Sequence, residues 1–230
     1  MARTALSADD KESRRQALLA AAHRLYRQRG ALPPVADIAD AAGLAKGTVY
    51  LYFRTKEEIF VALLEDSFGQ LFEALGPLLD ALPQGAAAAD VFAERFAALT
   101  AASGDLLPLA ALANGVLEQN LPVEAMRRFK VALARGWADA GARLEASTGL
   151  GPAGSGTTLL LHTYGLTLGL WQALSYPAAL KALLQEPDLR SLDRDFAADL
   201  RTALRALWHG QLALTGRTWP GSAPYRKPSS

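Results

Sequence analysis

A chain of 230 residues and 24.5 kDa, half of it hydrophobic, holds the material for one sizeable domain or for a small domain joined to a larger one. With no cysteine it excludes a disulfide framework, thiolate catalysis and cysteine-ligated zinc, and its three scattered histidines, His23, His162 and His209, supply no metal cluster. The formal net charge of +1 favours no class of partner, but residues 1–60 carry ten basic against seven acidic side chains, and Lys46, Arg54 and Lys56 form a basic stretch with no acid among them.

The opening MARTALSADDKESRRQ places charges where a signal peptide needs an apolar run, so the expected location is the cytoplasm. Residues 9–29 predict the first helix, with Asp9 or Asp10 as its cap, Leu18, Leu19, Ala22, Leu25 and Tyr26 on one face, and Gly30 as its stop. VADIADAA, 35–42, gives barely two helical turns. Gly43 breaks it, and a second short helix is expected from Ala45 or Lys46 to Phe53. Neither could stand alone in water, where helices below about 12 residues are marginal, so both need support from long neighbours. The next helix is predicted over 55–76, opened by a Thr55 and Glu58 capping box and closed by Pro77, with Ile59, Phe60, Leu63, Leu64, Phe68, Leu71, Phe72 and Leu75 in an apolar stripe.

Further helices are predicted over 86–103, 106–120, 122–145, 157–175 and 193–214, about nine in total, with a disordered tail from 215 to 230. Within the uncharged stretch Ala146–Leu180 the central apolar part reaches only about the lower limit of the roughly 17–25 residues that cross a bilayer, and it contains histidine, threonines and glutamine. A buried helix is expected there and no membrane partner. The fold class expected is therefore all-α.

Two short helices joined through a glycine turn and flanked by long ones are the layout of a helix-turn-helix, whose second helix enters the DNA major groove. Val35, Ile38, Ala39, Ala42, Val49 and Phe53 are expected to face the core, which leaves Lys46, Thr48, Tyr50, Leu51 and Tyr52 outward. Lysine at a helix start opposes the helix dipole, a mismatch that a phosphate would repair. Thr48, Tyr50 and Tyr52 offer hydroxyls to backbone oxygens, Gly47 allows close approach, and Lys56 with the amides near Thr55 makes a second phosphate grip.

ADIADAAGLAKGTVYLYFRTKEEIF, 36–60, resembles the DNA-binding segment of TetR-type (TetR/AcrR) transcriptional regulators through Ile38, Ala39, Ala42, Gly43, Lys46, Gly47, Thr48, Tyr50, Tyr52, Phe53, Lys56 and Glu57. The resemblance is specific over roughly residues 11–70, and beyond them it is one of layout. It implies a homodimeric regulator, most often a repressor, that binds a palindromic operator and is released by a small-molecule effector. Its DNA-binding residues would be Lys46, Gly47, Thr48, Tyr50, Leu51, Tyr52 and Lys56, with Leu51 at a variable, base-choosing position. Two positions depart from the family pattern. Pro33 and Pro34 stand where a hydroxyl residue commonly caps the first short helix, and Ala45 stands where a serine often caps the recognition helix, a loss of about 1 kcal/mol of capping.

The implied organisation is a DNA-binding domain at 9–55, a connecting helix over 55–76, and an effector-binding and dimerisation domain at 77–214. Dimer seam candidates are Leu160, Gly165, Leu168 and Gly169 with Phe196, Leu200, Ala203, Leu204 and Leu207. Pocket candidates for a small apolar or amphipathic effector are Phe92, Phe96, Met126, Phe129, Trp137, His162, Tyr164 and Trp171, each of which also suits ordinary core packing; His162 is expected to be buried or half-buried. No catalytic constellation, metal site or cofactor motif is expected, and Asp37 and Asp40 read as solvent-facing. A helical protein-interaction module without an operator is the alternative of a different class.

Overall fold

The structure, a computed structural model, describes residues 7–214. Ten α-helices make up most of that span and no strand occurs among the described residues, as the composition requires. The tail 215–230, expected to be disordered, lies outside them. Two compact units emerge: residues up to Leu71 with Asp105–Ala134, and Phe72–Gly104 with the residues from Arg135 on. The stretch Asp105–Ala134 groups with the front helices in this division.

In the first unit, α1 runs Ala8–Arg29. Its cap is Ser7 and not Asp9 or Asp10: the Ser7 hydroxyl accepts the Asp10 amide at 3.0 Å while the Asp10 carboxylate accepts the Ser7 amide at 3.2 Å. Gly30 ends the helix at φ 66°, in the left-handed region that glycine adopts without steric cost. α2, Val35–Ala41, and α3, Lys46–Val49, start from Pro34 and Ala45 with no side-chain cap, as their sequence foretold. α3 is shorter than expected, because residues 50–52 continue as turns, Phe53 donating to the Val49 carbonyl at 3.0 Å.

α2 lacks a side-chain cap at Pro34, and α1 reaches both of its ends. Arg29 pairs with Asp37 in its first turn, so Asp37 is engaged and not simply solvent-facing, and Arg24 donates to the Ala41 carbonyl at its last turn, 3.1 Å. Leu18, Ile38, Ala39, Val49, Ile59, Phe60 and Leu64 form the buried centre, and the ring of Tyr26 meets Phe60 edge-on at 5.9 Å. Val35 and Ala42 are only half-buried. α6, Leu106–Leu112, begins at Asp105, which pairs with His23 of α1 and lies 3.8 Å from Arg27. Burial, and secondarily the Asp105 charge, pushes the Tyr26 phenol above its ordinary pKa. The expected single helix over 106–120 changes its hydrogen bonding twice, to a π-helical turn at Ala113–Leu117 and a 3-10 turn at Glu118–Asn120.

α4, Lys56–Asp80, and α7, Val123–Thr148, contribute to both units. α4 passes through Pro77, where it was expected to stop. A proline there costs one hydrogen bond in the last turn, and Leu78, Leu79 and Leu82 beyond it are buried in return.

The second unit packs the remainder of α4 and α7 with α5, Ala87–Ala102; α8, Ser155–Leu174; and α10, Phe196–Ala213. A further short helix, α9 at Ala178–Leu183, starts from Pro177 and was not expected. Trp208 of α10 is wholly buried, stacks on Phe92 at 3.6 Å between centroids, and donates its indole N–H to the Thr163 hydroxyl at 2.9 Å. Outside this stack Arg205 bridges Glu94 at 2.5 Å and Asp90 at 3.1 Å. α7 and α8 cross where Gly141 and Gly156 meet, and a Cβ at Gly141 would strike the Thr157 backbone. At the start of α8, Glu145 of α7 accepts the amides of Gly154 and Gly156, both at 2.8 Å, a cap supplied from the neighbouring helix.

Candidate nucleic-acid interface and the helical second unit

The buried side of the α2–α3 pair fixes what its other side presents. Val49 and Phe53 are buried, and Arg15 lies over the Phe53 ring at 5.6 Å, so α3 cannot turn about its axis. Lys46 and Gly47 are consequently exposed, Tyr50 is 48% and Leu51 77% exposed, and Thr48, Tyr52 and Lys56 are half-buried. These seven expected DNA-binding residues lie on α3, the turn after it and the start of α4, and none of them is buried.

Gly47 is informative because the fold does not need it. Its φ lies outside the left-handed region and a Cβ built there meets nothing within 4 Å. A glycine here costs about 1 kcal/mol of helix propensity and leaves the start of α3 without a side chain. At the start of α4, the Thr55 hydroxyl accepts the Glu58 amide at 3.2 Å, as expected of a capping box. The Glu58 carboxylate, however, reaches one residue further back, accepting the Arg54 amide at 2.7 Å. That bond fixes the backbone between Tyr52 and Lys56. The sequence reading missed Arg24 and Arg29 as the residues that position α2, since nothing in their spacing distinguishes them from other basic residues of α1.

The pocket candidates separate into several clusters. Phe92 and Phe96 stack with each other at 5.0 Å and belong to the Trp208 cluster. Phe129 is buried in the first unit against Phe68, ring centroids 6.4 Å apart, and Met126 of the same unit is half-buried. Trp137 of the second unit lies between Phe72 at 5.0 Å and Tyr164 at 5.6 Å. His162 is exposed, contrary to expectation, because it lies on the side of α8 opposite Leu159, Leu160, Thr163 and Thr167. Trp171 borders a cleft of about 340 Å³ formed by the end of α8, by α9 and by the start of α10, whose other walls include Tyr176, Lys181 and Phe196.

The seam candidates divide in the same way. Leu160, Leu200 and Leu204 are filled by the chain's own helices and cannot form an outer seam. Leu168, Phe196, Ala203 and Leu207 are half-buried, and Gly165 and Gly169 are exposed. The opposite, outward faces are uncharged: Thr158, Leu161, His162, Gly165, Gly169 and Gln172 on α8, and Ala198, Thr202, Ala206 and Gly210 on α10. An outward helix face ordinarily carries charges. Gly165, Gly169 and Gly210 again have nothing within 4 Å of a built Cβ, in contrast to Gly136, Gly141 and Gly156, which a neighbour crowds. Among the described residues no helix is long and apolar enough to cross a membrane, and no group of three or more histidine, aspartate or glutamate side chains could hold a metal ion.

Comparisons with known proteins bear on this geometry. A family model described as bacterial regulatory proteins, tetR family, matches residues 18–63, and one described as tetracyclin repressor-like, C-terminal domain, matches residues 65–215. The fatty acid metabolism regulator protein of Bacillus subtilis is 46% identical over 41 residues, 18% of this chain and 21% of that protein. The HTH-type transcriptional repressor KstR2 of Rhodococcus jostii is 42% identical over 81 residues, 32% of this chain and 40% of that protein. The chain thus spans less than half the length of the curated relatives it matches. The crystal structure of the transcriptional regulator FadR from Bacillus subtilis in complex with stearoyl-CoA superposes with a TM-score of 0.52, over 85% of this chain and 98% of that one at 20% identity, a likeness of fold.

Proposed function

The chain belongs to the TetR family of bacterial regulatory proteins, and from that membership we propose that it is a homodimeric transcriptional repressor that binds a palindromic operator and releases it on binding a small effector. The observation that carries the DNA half is the outward surface of Lys46, Gly47, Thr48, Tyr50, Leu51, Tyr52 and Lys56, held in place by a buried Val49 and Phe53. Residues 9–55 act as the DNA-binding domain and 77–214 as the effector-binding and dimerisation domain, in the cytoplasm and without catalysis or a cofactor. Two modules must contact half-sites about one DNA turn (~34 Å) or a multiple apart, so a rigid seam is required. The uncharged outer faces of α8 and α10 support a seam there, drawn from Gly165, Gly169, Leu168, Ala203 and Leu207 with Ala206 and Gly210, and no longer from Leu160, Leu200 and Leu204.

The effector we infer is apolar or amphipathic. The cleft beside Trp171, where Leu174 and Phe196 stand with Lys181, Asp193, Arg194 and Asp195, supports an amphipathic ligand, as does the stearoyl-CoA held by the similar FadR. It works by population shift: the effector favours a dimer whose recognition helices are misplaced, and operator affinity falls by the ratio of effector affinities for the two forms.

The test is titration of the purified protein with duplex DNA from upstream of its own coding region at several salt concentrations. Lys56→Ala is expected to weaken binding to all sequences and to lower the salt slope by about one. Gly210→Glu, which has room in the monomer, is expected to leave the helices folded but yield monomers on sedimentation and weaken operator binding. A protein indifferent to duplex DNA at low salt would instead favour a helical protein-interaction module. Operator affinity unmoved by a panel of fatty acids and acyl-CoA esters would refute the effector assignment.

A further inference from the structure

At the end of the recognition helix a solvent-open groove of about 480 Å³ separates Tyr50, Tyr52 and Arg54 from the first turns of α7, which supply Glu124 and Arg128. All of these residues belong to the first compact unit. We propose that the DNA-contacting surface continues across this groove and that Arg128 grips an operator backbone phosphate opposite Arg54. The inference rests on the DNA-binding reading above and extends it to a helix outside the helix-turn-helix.

Three observations carry it. The first is charge. Arg54 and Arg128 face the same opening, and among the described residues no carboxylate lies within 4 Å of the Arg128 guanidinium; Glu65 feels its charge only from a greater distance. Glu58, which also lines the groove, is committed to the Arg54 amide. Each of two guanidinium groups lining one groove can give a phosphate the paired hydrogen bonds that arginine is shaped to give.

The second observation is the rim. Of the eight large hydrophobic side chains exposed among the described residues, Tyr50 and Leu51 line this groove, and a third, Val123, stands between its lining residues Pro122 and Glu124 at 79% exposure. Apolar side chains beside cations suit a sugar-phosphate strand, which offers deoxyribose faces as well as charge. The third is continuity: Tyr50 and Tyr52 belong both to this groove and to the proposed DNA-facing surface, so the groove adjoins that surface directly. Two carboxylates of the lining oppose this use, Glu58 and Glu124; Glu58 also holds the Arg54 amide, so Glu124 supplies the test of sign.

The experiment uses the full chain and a duplex of its upstream region, with binding measured from low to physiological salt. Arg128→Gln is expected to weaken operator and unrelated duplex DNA alike, several-fold at low salt, and to lower the salt slope by about 0.9. Arg128→Lys is expected to restore the slope, and Glu124→Gln to tighten binding. If Lys56→Ala lowers affinity and slope while Arg128→Gln changes neither, the groove contact is refuted and the DNA-binding reading stands. If neither variant has an effect, the reading itself falls, and this inference with it. If Glu65→Gln reproduces the loss caused by Arg128→Gln and both leave the slope unchanged, Arg128 acts only through its carboxylate neighbour and the proposal is overturned.

Discussion

Replacing Thr163 by valine keeps the shape of a side chain that is 1% exposed and removes the hydroxyl that accepts the indole N–H of Trp208. Trp208 is 0% exposed, so water cannot take over as acceptor without the core opening. An unsatisfied buried donor costs about 1–3 kcal/mol, which for a chain of this size lowers the unfolding midpoint by roughly 2–4 °C per kcal/mol. Thr167→Val is the matched control. Its hydroxyl, equally buried, donates back to the Thr163 carbonyl of its own helix at 2.7 Å, so its loss strands no donor and is expected to change stability by less than about 0.5 kcal/mol. Urea and thermal unfolding at one protein concentration measure both. Trp208→Phe in the Thr163→Val background completes the cycle, and there the threonine change should cost little, because the donor has already gone. Equal midpoints for Thr163→Val and Thr167→Val would refute the reasoning.

At the crossing of α7 and α8, Gly141→Ala is expected to destabilise by about 1–3 kcal/mol, because the new methyl meets the Thr157 backbone, which cannot rotate away. Gly165→Ala, in open space on the same pair of helices, is expected to raise monomer stability by up to about 1 kcal/mol, and unfolding curves of the two variants side by side check the contrast. A pH effect follows from Glu65. Burial raises its pKa against the opposing pull of Arg128 and Arg15, with Asp66 adding to the rise, so folding favours the protonated form. That contribution is fully present below the ordinary glutamate pKa and is lost as pH rises through the raised one. Glu65→Gln is therefore expected to stabilise the protein at neutral pH and to make no difference well below pH 4, as read from unfolding midpoints across the range.

The front segment was legible because its signals are local. A glycine turn, small residues at the helix crossing and the three-and-four spacing of α4 each follow from neighbours in sequence, and Ile38, Ala39, Val49 and Phe53 are buried as that spacing requires. What failed depended on partners distant in the chain. Ser7 was overlooked as a cap beside two aspartates, one of which serves it reciprocally. Pro77 reads locally as a stop, and only the burial of Leu78, Leu79 and Leu82 explains why α4 continues. Apolar periodicity found the inside of α8 and α10 and was taken for their outside, which placed Leu160, Leu200 and Leu204 at a seam. The outer faces are marked instead by the absence of charge, a weaker sign than the presence of leucine. Glu145 capping α8 and Arg128 facing Arg54 are close only after folding, so no spacing rule points to them.

The clamp on α2 has a consequence for how damage spreads. Because α2 has no side-chain cap at its start and Arg29 and Arg24 of α1 reach its first and last turns, the placement of the reading head of this regulator depends on the second half of α1. A lesion that frays the last turns of α1 would blind the protein to its operator without altering a single atom that meets DNA.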